Sequence, residues 1–301
     1  MNTNNLLLSH RNPEPESGVL YIVGTPIGNL DDISLRAFNL LKKVSLIACE
    51  DTRVTGKLLK YISISNKLIS FHEYSSKDRL NLLISKLKKG DSIALVSDAG
   101  MPLISDPGNH LVREVKRNDL EVICIPGPCA AITALVSSGL DSSQFTFFGF
   151  IPKSSKERED TLKRIFENQI TSIIYESPKR IIKLLYDLKD LCGIDRDIVL
   201  MKEITKRYEQ HFGFNIGNVI KELEGKELKG EFTLIISGNK KIKRNDSLKE
   251  QYLREELSKL IQAGLSHSAA ANYLSSKSRL SKNKIYKLIL DNDLKYKNKT
   301  I

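Results

Sequence analysis

The densest concentration of residues able to do chemistry is Ser97-Asp98-Ala99-Gly100-Met101-Pro102-Leu103-Ile104-Ser105-Asp106-Pro107-Gly108. An apolar run, Ser92-Ile93-Ala94-Leu95-Val96, leads into it. A stretch with helical spacing, Asn109-His110-Leu111-Val112-Arg113-Glu114-Val115, leaves it. The pattern is strand, loop, helix. In an open α/β sheet, ligands sit beyond the carboxyl ends of the strands. Glycine lets backbone approach a ligand closely, and proline fixes a turn. Asp98 and Asp106 can receive ligand hydroxyls or amines. The same residue types also make an ordinary tight connection.

Four further stretches carry residues of this kind. Glu50-Asp51-Thr52-Arg53 ends an apolar run. It reads as a base with its partner or as a helix N-terminus, with Asp51 or Thr52 capping and Arg53 in solvent. Pro126-Gly127-Pro128 precedes Cys129-Ala130-Ala131-Ile132-Thr133-Ala134. A helix opening there presents free N–H groups to a polar ligand, or its small residues let it pack closely on a sheet. His72-Glu73 lacks the second His of H-E-x-x-H, because Ser76 stands there. With five His and none grouped with Cys, no structural metal is expected. Gly24-Thr25-Pro26-Ile27-Gly28 is neither a dinucleotide fingerprint nor a Walker A loop, and no G-x-x-x-x-G-K-[ST] occurs anywhere in the chain, which argues against a P-loop NTPase.

The elements that must hold these residues alternate through about residue 139. Strands are predicted over 19–23, 44–49, 68–71, 92–96 and 121–125. Helices are predicted over 33–43, capped by Asp31 or Asp32, over 77–89 ending at Gly90, and after Gly108 and Pro128. Such alternation implies a mostly parallel sheet. Beyond it, strands at 145–150, 171–177, 197–206, 210–214 and 232–237 alternate with helices at 156–168, 178–191 and 215–223. Some of these strands are too closely linked for crossovers and must be antiparallel. The boundaries expected are a loose arm (1–17), one α/β domain (18–128), a second (129–238), a charged linker (239–247) and a helical module (248–301).

At 301 residues the chain suits two domains better than one, and 41% hydrophobic residues is the composition of a globular protein. No apolar stretch reaches membrane-spanning length, and the N-terminus has no signal-peptide pattern. Cys49, Cys124, Cys129 and Cys192 form no C-x-x-C pair, which suggests reduced and mostly packed thiols in a cytoplasmic protein. The net charge is +11. Residues 241–301 hold 14 Lys and Arg against 6 Asp and Glu, a surplus of eight. A basic face favours polyanions such as nucleic acid. Within it, Ser266 and Ser281 can each open a helix, in a helix–turn–helix pattern whose last helix carries Lys282, Lys284 and Lys287 as candidate RNA contacts. A plain helical appendage is the simpler reading.

Leu20–Leu30, Glu50–Arg53, Ser97–Gly108, Pro126–Thr133 and Tyr175-Glu176-Ser177 occur in one order. In that order the chain resembles the bacterial ribosomal RNA small subunit methyltransferase I proteins of the tetrapyrrole methylase superfamily. The resemblance spans roughly residues 18–238, and the C-terminal segment more weakly. It implies two α/β domains with S-adenosylmethionine held in the cleft between them. It implies a homodimer, and as acceptor the 2′-hydroxyl of a cytidine in the decoding region of small-subunit ribosomal RNA, free or in the assembled subunit. By matching motifs, Pro26, Ala99, Gly100, Ile104, Cys129, Ala130, Tyr175 and Gly213 would surround the donor, with Asp98 and Ser105 at their border. Methyl transfer from a sulfonium is an in-line displacement that needs orientation and no metal. A ribose hydroxyl is a weak acid, so a base or cation helps. Glu50, Asp51 and Arg53, with Lys202-Glu203, are the candidate groups. A tetrapyrrole-type small-molecule methylase and a non-catalytic RNA-binding relative are the alternatives. Ala99-Gly100-Met101-Pro102 in place of G-G-D-P, and the basic tail, speak against the first.

Overall fold

The computed structural model describes residues 14–239, 246–277, 281–283 and 285–286. Its first sheet is built from short runs of β-branched and aliphatic residues. These are β1 (Leu20–Val23), β2 (Leu46–Cys49), β3 (Leu68–Ser70), β4 (Ile93–Val96) and β5 (Val122–Ile125). Every residue of β1, β2 and β4 is buried, which requires cover on both faces. α1 (Leu35–Lys43) and α2 (Thr52–Tyr61) supply it on one side, packing Leu40, Leu41 and Leu59 against Tyr21 and Val23. α3 (Lys77–Lys88) and α4 (Asn109–Arg117) supply it on the other, with Leu83, Leu87 and Leu111 against Leu20 and Ile22. All pairings are parallel, in the order β3-β2-β4-β1-β5. The connection from β2 runs outward to β3, and that from β4 runs the other way to β5. Adjacent β2 and β4 therefore flank a switch point, where the two following loops part and leave a crevice.

The second sheet comprises β6 (Phe145–Phe150), β7 (Thr171–Glu176), β8 (Asp197–Lys202), β9 (Gln210–Asn215) and β10 (Phe232–Ile236), in the order β6-β7-β10-β8-β9. β6 and β7 are parallel, joined over α6 (Ser155–Glu167), and the other pairings are antiparallel. α6, α7 (Ile181–Cys192) and α8 (Ile216–Leu223) bury one face. α5 (Ala130–Ser137) buries the other, joined there by Ile27 from the loop after β1. Both sheets belong to one compact unit, Met1–Asn239, and Lys240–Ile301 forms a second.

Several local expectations are corrected. Ser34 caps α1, its Oγ accepting from Ala37 N–H at 3.1 Å. Asp31 and Asp32 instead lie in a single 3-10 turn, because Ile33 is extended (φ −67°, ψ 127°) and separates them from the helix. β8 stops at Lys202 rather than 206, since Glu203 (φ 54°) and Thr205 (φ 67°) turn the chain through the left-handed region. Cys49 is buried, but Cys124 is exposed on β5, an edge strand with a neighbour on one side only.

In the second unit, α9 (Asp246–Gln262) and α10 (His267–Lys277) meet at a turn through Gly264, and Ser266 Oγ accepts from Ala269 N–H. Leu253, Leu257, Ala270, Ala271, Leu274 and Ile285 form its core. Lys282 is exposed, whereas Lys284 and Lys287 lie outside the described residues. Among the described residues, no helix is long and apolar enough to cross a membrane.

Candidate functional site

The loops after β1 and β4 are tied together. Thr25 and Gly100 exchange two backbone hydrogen bonds, at 2.9 and 3.1 Å, and Thr25 Oγ1 donates to Ser97 O at 3.4 Å. Gly100 has φ +84°, and an added Cβ would stand 3.2 Å from Ile27 Cγ2. Only glycine adopts this turn without strain. Leu103 and Ser105 follow in the left-handed region, at φ 73° and 65°. Each costs roughly 1–2 kcal/mol for an L-residue, so the surrounding packing fixes this loop against its local preference. Such outliers gather at ligand sites.

Beyond the loop lies a cavity of about 330 Å³. One wall is Ile27, Ala99, Gly100, Met101, Ile104, Ser105 and Asp106. The other is Cys129 and Ala130 at the start of α5, Phe150, Tyr175 to Pro178, and Gly230 to Thr233. Its volume falls within the usual range of small-molecule sites. Tyr175 is locked in place: its ring meets Phe147 edge-on at 5.1 Å, and its hydroxyl accepts from Ala131 N–H at 2.9 Å. Cys129 makes no side-chain cap, so this hydroxyl satisfies one of the free N–H groups of α5. Burial pushes the phenol well above its ordinary range, helped by the neighbouring Cys129.

Four carboxylates gather at the carboxyl ends of β2 and β4. Burial pushes Asp106 up to about 6. The charges of Glu50 and Asp98 add to the effect, and a hydrogen bond from Ser97 opposes it. Glu50 is raised by burial and by Asp98 and Asp51, against the influence of His72. Asp98 is raised by burial and accepts from Asp51 N–H at 3.1 Å. Asp51 goes the other way, down to about 2, held ionised by hydrogen bonds from the Arg53 side chain and backbone N–H. Asp51 is thus the N-cap of α2, and Arg53, its guanidinium 86% exposed, is its partner.

Seven of the residues expected around the donor therefore share one cavity: Ala99, Gly100, Ile104, Ser105, Cys129, Ala130 and Tyr175. Pro26 is buried one residue before Ile27, and Asp98 stands just outside the wall, bonded to Asp51. Gly213 does not join them. It sits within β9, at the far edge of the second sheet, paired with Val199. Glu203 lies behind the wall rather than in it. Burial would raise its carboxyl, but bonds from Lys206 Nζ and Glu231 N–H hold it below the ordinary range. Asp106, which the reading of its loop offered as a receiver of ligand hydroxyls or amines but which the resemblance did not carry over, lines the cavity. Motif reading missed Glu176, inside a motif triplet, and Gly230 to Thr233, which have no signature. Among the described residues, no group of His, Cys, Asp and Glu could hold a metal.

The site thus lies in a largely apolar cleft between the loops of a parallel sheet and the face of a mixed one. The chain belongs to the tetrapyrrole (corrin/porphyrin) methylase family, which matches residues 19–220. Solved structures of the same fold include a diphthine synthase (TM-score 0.58, 13% identity, 73% of this chain and 90% of that one). A uroporphyrin-III C-methyltransferase from Thermus thermophilus is another (TM-score 0.53, 16% identity, 73% and 94%). Members of the family use S-adenosylmethionine as methyl donor. Within it, the chain is a member of the ribosomal RNA small subunit methyltransferase I proteins. It is 42% identical to that of Escherichia coli O157:H7 (94% of this chain, 98% of the relative) and 43% identical to that of Vibrio cholerae (91% and 95%).

Proposed function

We propose that the protein methylates the 2′-hydroxyl of a cytidine ribose in the decoding region of small-subunit ribosomal RNA, with S-adenosylmethionine in the 330 Å³ cleft. Its full-length kinship to proteins named for small-subunit rRNA supports the substrate. The observation that carries the chemistry is Asp106, a carboxyl near 6 set in an otherwise largely apolar wall.

The residues suit the donor. Ile27, Ile104, Phe150 and Phe232 offer apolar faces to an adenosine, and Gly100 leaves open the space a side chain would fill. When bound, the donor supplies a sulfonium methyl that passes to the attacking oxygen as the carbon–sulfur bond breaks and its electron pair returns to sulfur. In this reading Asp106 takes the hydroxyl proton, since a base with pKa near the working pH is the most effective. Burial, with the charges of Glu50 and Asp98 adding to it, keeps that carboxyl from ionising at lower pH. Arg53, in solvent above the cluster, is available to a phosphate of the RNA. Glu203 acts indirectly, fixing Lys206 and the Glu231 backbone at the rim. Such a substrate implies a cytoplasmic place of action. A homodimer belongs to the same reading, and the exposed Ile132 and Val136 of α5 offer it apolar surface.

The test is transfer of labelled methyl from the donor to small subunits, to naked small-subunit RNA and to uroporphyrinogen, followed by mapping of ribose methylation. Label on a cytidine ribose supports the reading. Label on a base, or on the tetrapyrrole alone, overturns it.

A further inference from the structure

A second cavity, of about 240 Å³, opens between the loop after β3 and the starts of α3 and α4. Lys77 and Arg113 line it, and His72 and His110 add ring nitrogens. All four residues are exposed, and among the described residues none of their side chains is hydrogen-bonded or ion-paired. Glu73 is the carboxylate of this lining; it too is exposed and unpaired, so two cations stand against one anion. α4 adds to the positive side. It opens at Gly108, in the lining, with no side-chain cap and no acidic residue in its first turn. Its first N–H groups and the positive end of its dipole are therefore unanswered. α3 adds nothing, because Ser76 caps it and Asp78 stands in its first turn.

The cavity adjoins the acidic cluster of the cleft. Gly108 follows Asp106 by two residues, which keeps their Cα atoms within about 7 Å, and His72 acts on the Glu50 carboxyl. An RNA that brings a ribose to Asp106 meets Glu50, Asp98 and Asp106 together, so its backbone needs cations close by. Arg53 arrives paired with Asp51 and brings no net charge, whereas Lys77 and Arg113 are uncommitted. The same loop carries a second feature. His72 N–H donates to Ser75 Oγ at 2.8 Å, and Ser75 N–H donates to His72 O at 2.9 Å. This closed turn holds Tyr74 at its tip, 90% exposed and, among the described residues, in contact with no other ring or cation. A cationic hollow beside a bare aromatic ring suits single-stranded RNA, with a phosphate in the one and a base on the other. We infer that this cavity receives a backbone phosphate of the RNA segment flanking the methylated nucleotide, with a base stacked on Tyr74. The inference rests on the reading above that RNA is the acceptor. A free phosphate anion shares the first half of this chemistry and makes no use of Tyr74.

Binding of small-subunit RNA, naked or in assembled subunits, to the full chain at several salt concentrations tests this. The double change Lys77→Ala and Arg113→Ala should weaken binding about three- to tenfold. It should also make the slope of log affinity against log salt shallower by about 0.7, the value for one phosphate of a single strand. Tyr74→Ala should weaken binding by about five- to hundredfold at an unchanged slope, and Tyr74→Phe should restore it. Calorimetry should find S-adenosylhomocysteine affinity unchanged in each variant; a parallel loss there would mark the change as structural and overturn the assignment. Wild-type affinity and slope in the double variant overturn the phosphate site, and wild-type binding by Tyr74→Ala overturns the pairing with a base. If inorganic phosphate stabilises the wild-type chain but not the double variant while both bind RNA equally, the cavity belongs to a free anion and the assignment fails. A wild-type chain that binds no small-subunit RNA in either form overturns the acceptor reading itself, and this inference with it.

Discussion

Asp106→Asn separates the electrostatics of the cleft from its shape. The Asp106 carboxyl is pushed from 3.8 to about 6 by burial, with Glu50 and Asp98 adding repulsion. A raised carboxyl pKa means that the folded state favours the protonated form. The stability it contributes is complete below the unfolded pKa and is lost as pH rises through about 6. A shift of about two units corresponds to roughly 3 kcal/mol at most, and partial solvent access reduces this to about 1–3 kcal/mol. Asn resembles the neutral acid at every pH and still accepts from Ser97. Urea unfolding of both proteins from about pH 4 to about pH 8 should therefore give equal stabilities at the acid end. The Asn variant should be the more stable by about 1–3 kcal/mol above about pH 7. Loss of the proton acceptor should lower methyl transfer by roughly 10²–10⁴-fold, with S-adenosylhomocysteine affinity retained. A stability difference that is flat across pH, or a wild-type chain more stable at pH 8, would refute the reasoning.

Gly100→Val places a branched side chain at φ +84° and 3.2 Å from Ile27; calorimetry should show donor-product affinity at least about tenfold lower, with circular dichroism unchanged. Tyr175→Phe leaves Ala131 N–H without its partner, and thermal unfolding should report a loss of about 1–3 kcal/mol. Removing residues 240–301 should leave donor affinity unchanged while weakening RNA binding, because every cleft residue lies before that point. The triple change of Lys282, Lys284 and Lys287 to Ala should flatten the salt dependence of RNA binding by up to about 0.7–0.9 per lost phosphate contact; an unchanged slope would remove these lysines from the RNA interface.

The alternation of buried strands and helices was legible because β1, β2 and β4 are short, fully apolar runs, and such runs have few other uses. The antiparallel hairpin of β8 and β9 followed from its short connection. What stayed hidden depends on contacts between distant residues. The high pKa of Asp106 is made chiefly by burial, which only the packed fold provides, with Asp98 of its own loop and Glu50 from the end of β2 adding to it. Ser34 overtook Asp31 and Asp32 as a cap because one backbone angle at Ile33 moved the helix start. Gly213 falls within an edge strand, where its motif match carries no information about distance to the cleft. Gly230 to Thr233 enter the wall through the place of β10 beside β7, which follows from topology alone.

The geometry of the cleft depends on one short segment, Gly24 to Asn29, that reaches across it. At its start the chain passes so near the loop after β5 that a Cβ on Gly24 would stand 2.7 Å from Gly127 Cα. Next, Thr25 is bonded to Gly100, which fixes the loop carrying Asp106. Ile27 then packs with Ala131, Met201 and Ile204 of the second half, and Asn29 N–H donates to Thr205 Oγ1 at 3.1 Å. Thr205 is itself in the left-handed region, and Glu209 accepts its N–H. A single stretch thus holds the first half by hydrogen bonds and the second by apolar contact and one hydrogen bond. The left-handed residues fall in the loops on either side of it, Leu103 and Ser105 after β4 and Glu203 and Thr205 after β8. Methyl transfer tolerates little error in the approach of the acceptor to the methyl carbon. A strap bonded to both walls meets that demand.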